Sequence, residues 1–138
     1  MMTYHLDTIY TEQDKARVKA GFATYAVQNN VPPREEKNWI YRDENGQCIA
    51  CLEMMFAGQQ GYIKILWVDE AHRGNGLALK LMQQADGFAR QSGLHEMWVD
   101  THGYQAPEFY KKCGFSIVAE VPDYIAGHAR LFFRKAVF

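Results

Sequence analysis

The stretch Val68-Asp69-Glu70-Ala71-His72-Arg73-Gly74-Asn75-Gly76-Leu77-Ala78 joins the end of an apolar strand to the start of the strongest amphipathic helix in the chain. Gly74 and Gly76 stand at the junction. With no side chains there, successive backbone N–H groups at a helix N-terminus lie open to an anion, and Arg73 adds a fixed positive charge beside them. A phosphate or pyrophosphate suits this arrangement; on the glycines alone, a tight strand-to-helix turn with a solvated Arg73 fits equally. Spacing excludes two nucleotide-binding signatures. The phosphate loop Gly-x-x-x-x-Gly-Lys-Ser/Thr is absent, and a dinucleotide fingerprint needs Gly or Ala where Leu79 stands.

Downstream, Ala78, Leu81, Met82, Ala85, Phe88 and Ala89 form one apolar stripe between Gly76 and Ser92, with Lys80, Gln83, Gln84, Arg90 and Gln91 largely opposite. Gly93 suits a left-handed cap. His95 to Thr101 reads as a buried strand. Pro107 and Glu108 suit the first turn of a short helix, Lys111 and Lys112 its last, and Gly114 its end. Phe115 to Val121 and His128 to Ala136 read as a closing strand pair.

Upstream, strands Gln47 to Phe56 and Tyr62 to Val68 flank the turn Gly58 to Gly61. A strand at Asn38 to Arg42 precedes the hairpin signal Asp43-Glu44-Asn45-Gly46. Thr11 offers an N-cap to a helix carrying Ala16, Ala20, Ala23 and Val27, which Asn29-Asn30-Val31-Pro32-Pro33 breaks. Thr3 to Tyr10 reads as a first strand. The order predicts one α/β domain over residues 1–138, with a mixed, mostly antiparallel central sheet and helices on both faces.

Composition narrows the function. The chain has 15 basic and 16 acidic residues, a net charge of −1, and no Lys/Arg run, which argues against a nucleic-acid partner held by bulk electrostatics. The longest apolar run, Cys48 to Leu52, is far short of a membrane span, and the N-terminus lacks the pattern of a signal peptide. A cytoplasmic protein with no membrane partner is the expectation. Its three cysteines suit a reducing compartment. Cys48 and Cys51 form a C-x-x-C within a strand, where residues three apart point to opposite faces, and the five histidines show no ligand spacing. No metal is expected.

Arg73, Gly76 and Ala78 fill the three fixed positions of Gln/Arg-x-x-Gly-x-Gly/Ala, and the segment resembles the acetyl-CoA signature of the GNAT superfamily of N-acetyltransferases. A second block, Ala106-Pro107-Glu108-Phe109-Tyr110-Lys111-Lys112-Cys113-Gly114-Phe115, is similar to the superfamily's downstream Ala-x-x-x-Tyr-x-x-x-Gly-Phe. The chain also resembles a bacterial subgroup of undefined acceptors through Leu66-Trp67-Val68, Asp100-Thr101, Gln105-Ala106-Pro107 and Gly127-His128-Ala129-Arg130.

This resemblance implies the GNAT fold and direct acetyl transfer from acetyl-CoA to an amine of a small molecule or peptide. It implies that Trp67 and Val68 line the pantetheine arm, that Arg73, Gly74, Asn75, Gly76, Leu77 and Ala78 hold the pyrophosphate, and that Tyr110 faces the thioester sulfur. A homodimer is expected, as is common in the superfamily. Two positions depart from the pattern: Gly103 stands where many members carry a CoA-contacting Asn, and Lys64 is the only charged residue in a strand where many carry an acid. Candidate bases are therefore Asp100, His102 and Glu53, each with an alternative as an ordinary polar residue. The demand on a base is set by the acceptor. A lysine-like amine, of pKa ~10.4, is neutral in only about one molecule in 2,500 at pH 7, a deficit of ~4.6 kcal/mol. The rival reading is a non-catalytic acetyl-CoA-binding module. Tyr25, Trp39, Tyr41, Tyr104 and Tyr124 are candidates to line an acceptor pocket, together with the first helix and the loops Asn29 to Pro33 and Pro122 to Gly127.

Overall fold

Period-two apolar alternation and period-3.6 stripes account for most of the elements in the computed structural model, which describes residues 1–138. In chain order these are α1 (Glu12–Gln28), β1 (Glu35–Arg42), β2 (Cys48–Ala57), β3 (Gln60–Val68), a single 3-10 turn (Glu70–His72), α2 (Leu77–Gln91), β4 (Glu96–His102), α3 (Pro107–Lys112), β5 (Ser116–Ile125) and β6 (His128–Ala136). The chain forms two units, Met1–Pro33 and Arg34–Phe138.

In the first unit, Thr11 caps α1 as expected. Its side chain accepts from Asp14 N–H while Asp14 accepts from Thr11 N–H, a reciprocal pair that satisfies two otherwise orphan donors. The strand expected at Thr3 to Tyr10 does not form. Asp7 Oδ1 instead accepts from the N–H groups of Thr8 and Ile9, a local side-chain bond that competes with strand pairing.

The second unit is a six-stranded sheet of order β1-β2-β3-β4-β6-β5. Only β3–β4 is a parallel pair; the rest are antiparallel. The β1–β2 hairpin turns at Asp43, whose Oδ1 accepts from Asn45 and Gln47 N–H, with Gly46 at φ +80°. α2 buries Leu81, Met82, Ala85 and Ala89 in a core shared with Leu52 and Met54 of β2, Ile63 of β3, Met97 and Val99 of β4, and Phe133 of β6. Each fully buried Leu or Met in that set contributes about 1.5–3 kcal/mol. Tyr110 of α3 packs into the same core, so α2 and α3 lie over one face of the sheet.

A β-bulge corrects one expectation. Tyr41 pairs with Ala50 and Arg42 with Cys48, leaving Ile49 unpaired, so Cys48 and Cys51 lie on the same face, and the Cys48 thiol donates to Ala50 O at 3.7 Å. Both are free thiols, and burial pushes the Cys51 thiol up from its ordinary value.

A second bulge matters more. Glu53 pairs with Ile65 and Met54 with Ile63, so Lys64 is the extra residue of β3. The β3–β4 pairing runs only from Gln60–Glu96 to Ile63–Val99. Beyond it the two parallel strands part, and the edges Lys64–Val68 and Asp100–His102 no longer bond each other.

Candidate active site

Where β3 and β4 separate, a cleft of about 860 Å³ opens, lined by the end of β3, the loop into α2, the middle of β4 and α3. At one end lies the start of α2. Its N-cap is Gly76 at φ +76°, no side chain caps it, and its first turn carries no acid. The first intrahelical bond is Lys80 N–H to Gly76 O at 3.0 Å, so the N–H groups of Leu77, Ala78 and Leu79 are left to an external acceptor. Gly74 lies at φ +82°, and a Cβ built on Gly74 or Gly76 meets nothing within 4 Å. These glycines are needed for their backbone conformation, not for want of space. Arg73 Nε donates to Val68 O at 3.0 Å, which ties the loop to the end of β3, and Asn75 Nδ2 donates to His72 O at 3.1 Å. The site is built from backbone donors, a macrodipole and one guanidinium, and it fits a pyrophosphate.

Along the cleft, Leu66, Trp67 and Val68 present a strand edge without a β4 partner. Tyr110 sits further in. Its ring is 7% exposed and packs edge-on against Phe109 and Phe115 at centroid distances of 5.6 and 6.0 Å, yet it lines the cleft. Burial first, then the neighbouring Cys113 and Asp100, push its phenol up to about 12. The group is held neutral, as a donor.

Of the three candidate bases, the structure brings only Asp100 into the cleft. Its carboxylate is the centre of a network. Tyr62 Oη donates to Oδ1 at 2.5 Å, and Arg130 donates to Oδ2 through Nε at 3.0 Å and Nη2 at 2.6 Å. Arg130 Nη1 also donates to Tyr124 Oη at 3.0 Å, and the guanidinium lies 5.2 Å and 5.1 Å from the ring centroids of Tyr124 and Phe132. Desolvation and the bonded carboxylate push the Tyr62 phenol up to about 12. His102 lies outside the cleft lining: its ring stacks between Tyr104 and Tyr124 at 5.3 and 5.7 Å, with Nδ1 buried and unbonded. Glu53 also lies outside, on β2 opposite Ile65.

Among the aromatic residues expected around an acceptor, Tyr104 lines the cleft, whereas Trp39 and Tyr41 pack against the core, Trp39 edge-on to Phe88 at 5.7 Å. Sequence reasoning did not find the roles of Tyr62, Tyr124 and Arg130 around Asp100. Only their alternation on one sheet face hinted at it, and which strands are neighbours is a matter of topology.

The acetyltransferase (GNAT) family model matches residues 4–115. The chain belongs to this family. Its members use acetyl-CoA as the acetyl donor. The chain is 39% identical over 67 residues to a blasticidin-S acetyltransferase from Streptomyces morookaense, a match covering 48% of this chain and 49% of that one. It spans about half the length of the curated relatives it matches. Among solved structures, an acetyltransferase from Bacillus cereus superposes with a TM-score of 0.81 at 28% identity, over 96% of this chain and 97% of that one. A Bacillus anthracis structure solved in complex with acetyl coenzyme A shares the fold, with a TM-score of 0.63 at 20% identity over 73% of this chain and 62% of that one. No helix is long and apolar enough to cross a membrane.

Proposed function

We propose that this chain is an acetyl-CoA-dependent N-acetyltransferase acting on a primary amine of a small molecule or peptide, and that residues 1–138 work as one catalytic domain. One observation carries the reading: a single cleft runs from the backbone anion site at Arg73–Ala78, past the unpaired edge Leu66–Val68, to the buried phenol of Tyr110 and the carboxylate of Asp100. The family match over residues 4–115 supports treating the chain as a unit.

Acetyl-CoA supplies an activated thioester. The N–H groups of Leu77, Ala78 and Leu79, with Arg73, hold its pyrophosphate, helped by the open turn through Gly74, Asn75 and Gly76. The β3 edge at Leu66–Val68, which has no β4 partner, pairs with the amide-bearing arm beside Trp67. Tyr110 donates a hydrogen bond where the sulfur departs. With its phenol at about 12, complete transfer to a thiolate of pKa near 8.5 is uphill by about 5 kcal/mol, so Tyr110 stabilises developing charge instead of surrendering its proton early.

Asp100 faces the acceptor amine. A carboxylate has about four acceptor positions, and Tyr62 and Arg130 use three, leaving one for the amine or for a water between them. An amine less basic than lysine asks least of such a base: an α-amine of pKa near 8 is short of its neutral form by only about 1.4 kcal/mol at pH 7. His102 serves through its stack with Tyr104 and Tyr124, and Glu53 has no part in this reading.

A cytoplasmic homodimer is part of the proposal. β5 is exposed along its length, with Ile117, Val118 and Val121 at 44, 50 and 42%, and offers a second copy an apolar edge. Light scattering that finds a monomer at tens of micromolar removes that part.

The deciding experiment is a screen of primary amines with acetyl-CoA, following release of the CoA thiol. Turnover with one class of amine is expected. Stabilisation by acetyl-CoA without turnover on any amine selects the non-catalytic binding module instead.

A further inference from the structure

Lys64 is the residue whose charge the reading above leaves unused. It is the bulged, exposed residue of β3 at the point where β4 leaves, and it lines the cleft. It takes part in none of the chain's ion pairs. Every other charged group on the cleft wall has a partner or an assigned anion. His72 Nδ1 bonds Asp69 at 3.1 Å, Asp100 is matched by Arg130, and Arg73 stands at the pyrophosphate site. Lys64 lies four residues from Val68 along an extended strand, about 13 Å from the loop end at ~3.3 Å per residue. The negative charges of acetyl-CoA belong to its nucleotide end, and the arm that runs to the thioester is neutral. A cation this far along the cleft has no anion to meet on the donor.

We propose that Lys64 binds an anionic group on the acceptor, and that the acceptor is accordingly an amine carrying a carboxylate, not a polycation. The proposal rests on the acyl-transfer reading of the cleft and adds its substrate class. A bulge suits such a task, because the extra residue leaves the pleat and re-aims its side chain away from the ladder. The same placement repels acceptors with a second positive charge.

The test sets the L-amino acids against their amides with the full chain, so that amine and side chain stay constant while the carboxylate is removed. Initial rates of CoA thiol release give kcat/KM. Thermal melts with CoA present give binding independently of turnover. Wild type is expected to prefer at least one acid over its amide by ~10-fold or more, in kcat/KM and in stabilisation. Lys64→Met abolishes that preference, mainly through KM, while Lys64→Arg keeps most of it, and neither changes the melting shift given by acetyl-CoA.

The proposal is overturned by a preference that survives in Lys64→Met, by acids and amides that bind and react alike, or by a Lys64→Met variant that loses affinity for acetyl-CoA, which assigns the lysine to the donor. If no amine of any class is acetylated, the acyl-transfer reading fails. If only neutral or cationic amines are acetylated, that reading stands and the role of Lys64 falls.

Discussion

At the proposed donor end of the cleft, the anion site is a run of consecutive residues from Arg73 to Leu79, and most of its donors are backbone N–H groups. At the proposed acceptor end, Asp100 on the cleft wall is held by Tyr62 and Arg130, and Arg130 by Tyr124, residues of four different strands that meet only through side chains. The first depends only on residues within one turn and the start of one helix; the second exists only when four strands pair in one order. The difference governs what substitutions do. A backbone site is indifferent to most side chains and fails when something blocks it. A side-chain site fails when any member changes its donors or its charge.

The sharpest challenge to the donor end is Gly76→Asp compared with Gly76→Asn. Both place a side chain at φ +76° with open space around it, and Asn and Asp tolerate that conformation better than other residues. They differ by one charge. Gly76→Asp is expected to weaken acetyl-CoA by ~10²-fold or more and to remove most of the ~2.7 kcal/mol that ligand at 100 times its Kd contributes to stability. Gly76→Asn is expected to lose less than ~10-fold. Equal losses in the two variants, read by thermal melts and titration calorimetry, break the electrostatic account of this end.

Tyr110 stands between the two ends, and Tyr110→Phe separates chemistry from packing. The ring and its contacts with Phe109, Phe115 and Phe133 are retained while the hydroxyl goes. If that hydroxyl serves the departing thiolate, kcat falls by ~10²-fold with acetyl-CoA affinity unchanged. Unchanged kcat with a lowered melting temperature makes Tyr110 a structural residue and favours the binding module.

How much was legible in the sequence follows the same division. The turn into α2, its apolar stripe and the cap at Thr11 are readable because each depends on residues within a few positions of one another. Two features were not. A bulge shifts strand parity without a residue signature of its own, which is why Cys48 and Cys51 share a face although three residues apart, and why Lys64 reads as an ordinary strand residue. The partners of Asp100 lie 38 and 30 positions away. Their meeting depends on β6 inserting between β4 and β5, an order that local pattern does not encode. The lost first strand shows the converse: Thr3 to Tyr10 has the composition of a strand, but Asp7 binds its own backbone instead.

At the acceptor end, Asp100→Asn keeps an oxygen for Arg130 or Tyr62 and removes the charge. A fall of ~10-fold in kcat/KM for the acceptor is expected, with no change in acetyl-CoA binding. Arg130→Lys is expected to fall between this variant and wild type, since an ammonium cannot reproduce the fork that holds Oδ2 and Tyr124 together. A matching loss of acetyl-CoA affinity in either variant shows that the two ends are not independent.

The smallest expected effect is in the alkaline range, where Tyr110 and Tyr62 have phenols pushed up to about 12 from an ordinary value of 10. Above pH 10 the unfolded chain releases these protons while the folded chain keeps them, so the unfolded state binds fewer protons and stability falls as pH rises. Their contribution is complete below pH 10 and is lost between about pH 10 and 12. For the buried Tyr110 the slope is at most about 1.4 kcal/mol per pH unit. Urea melts from pH 9 upward should show a shallower decline in Tyr110→Phe, because that variant has no phenol to ionise in either state. Tyr62→Phe should flatten the decline as well and, unlike Tyr110→Phe, should also disturb acceptor turnover, since it releases one oxygen of Asp100. Parallel decline in all three proteins means that neither phenol is held neutral by its surroundings. Tyr110 then loses its assignment as a strong-field donor at the sulfur, and Asp100 loses one of the bonds that orient it toward the amine.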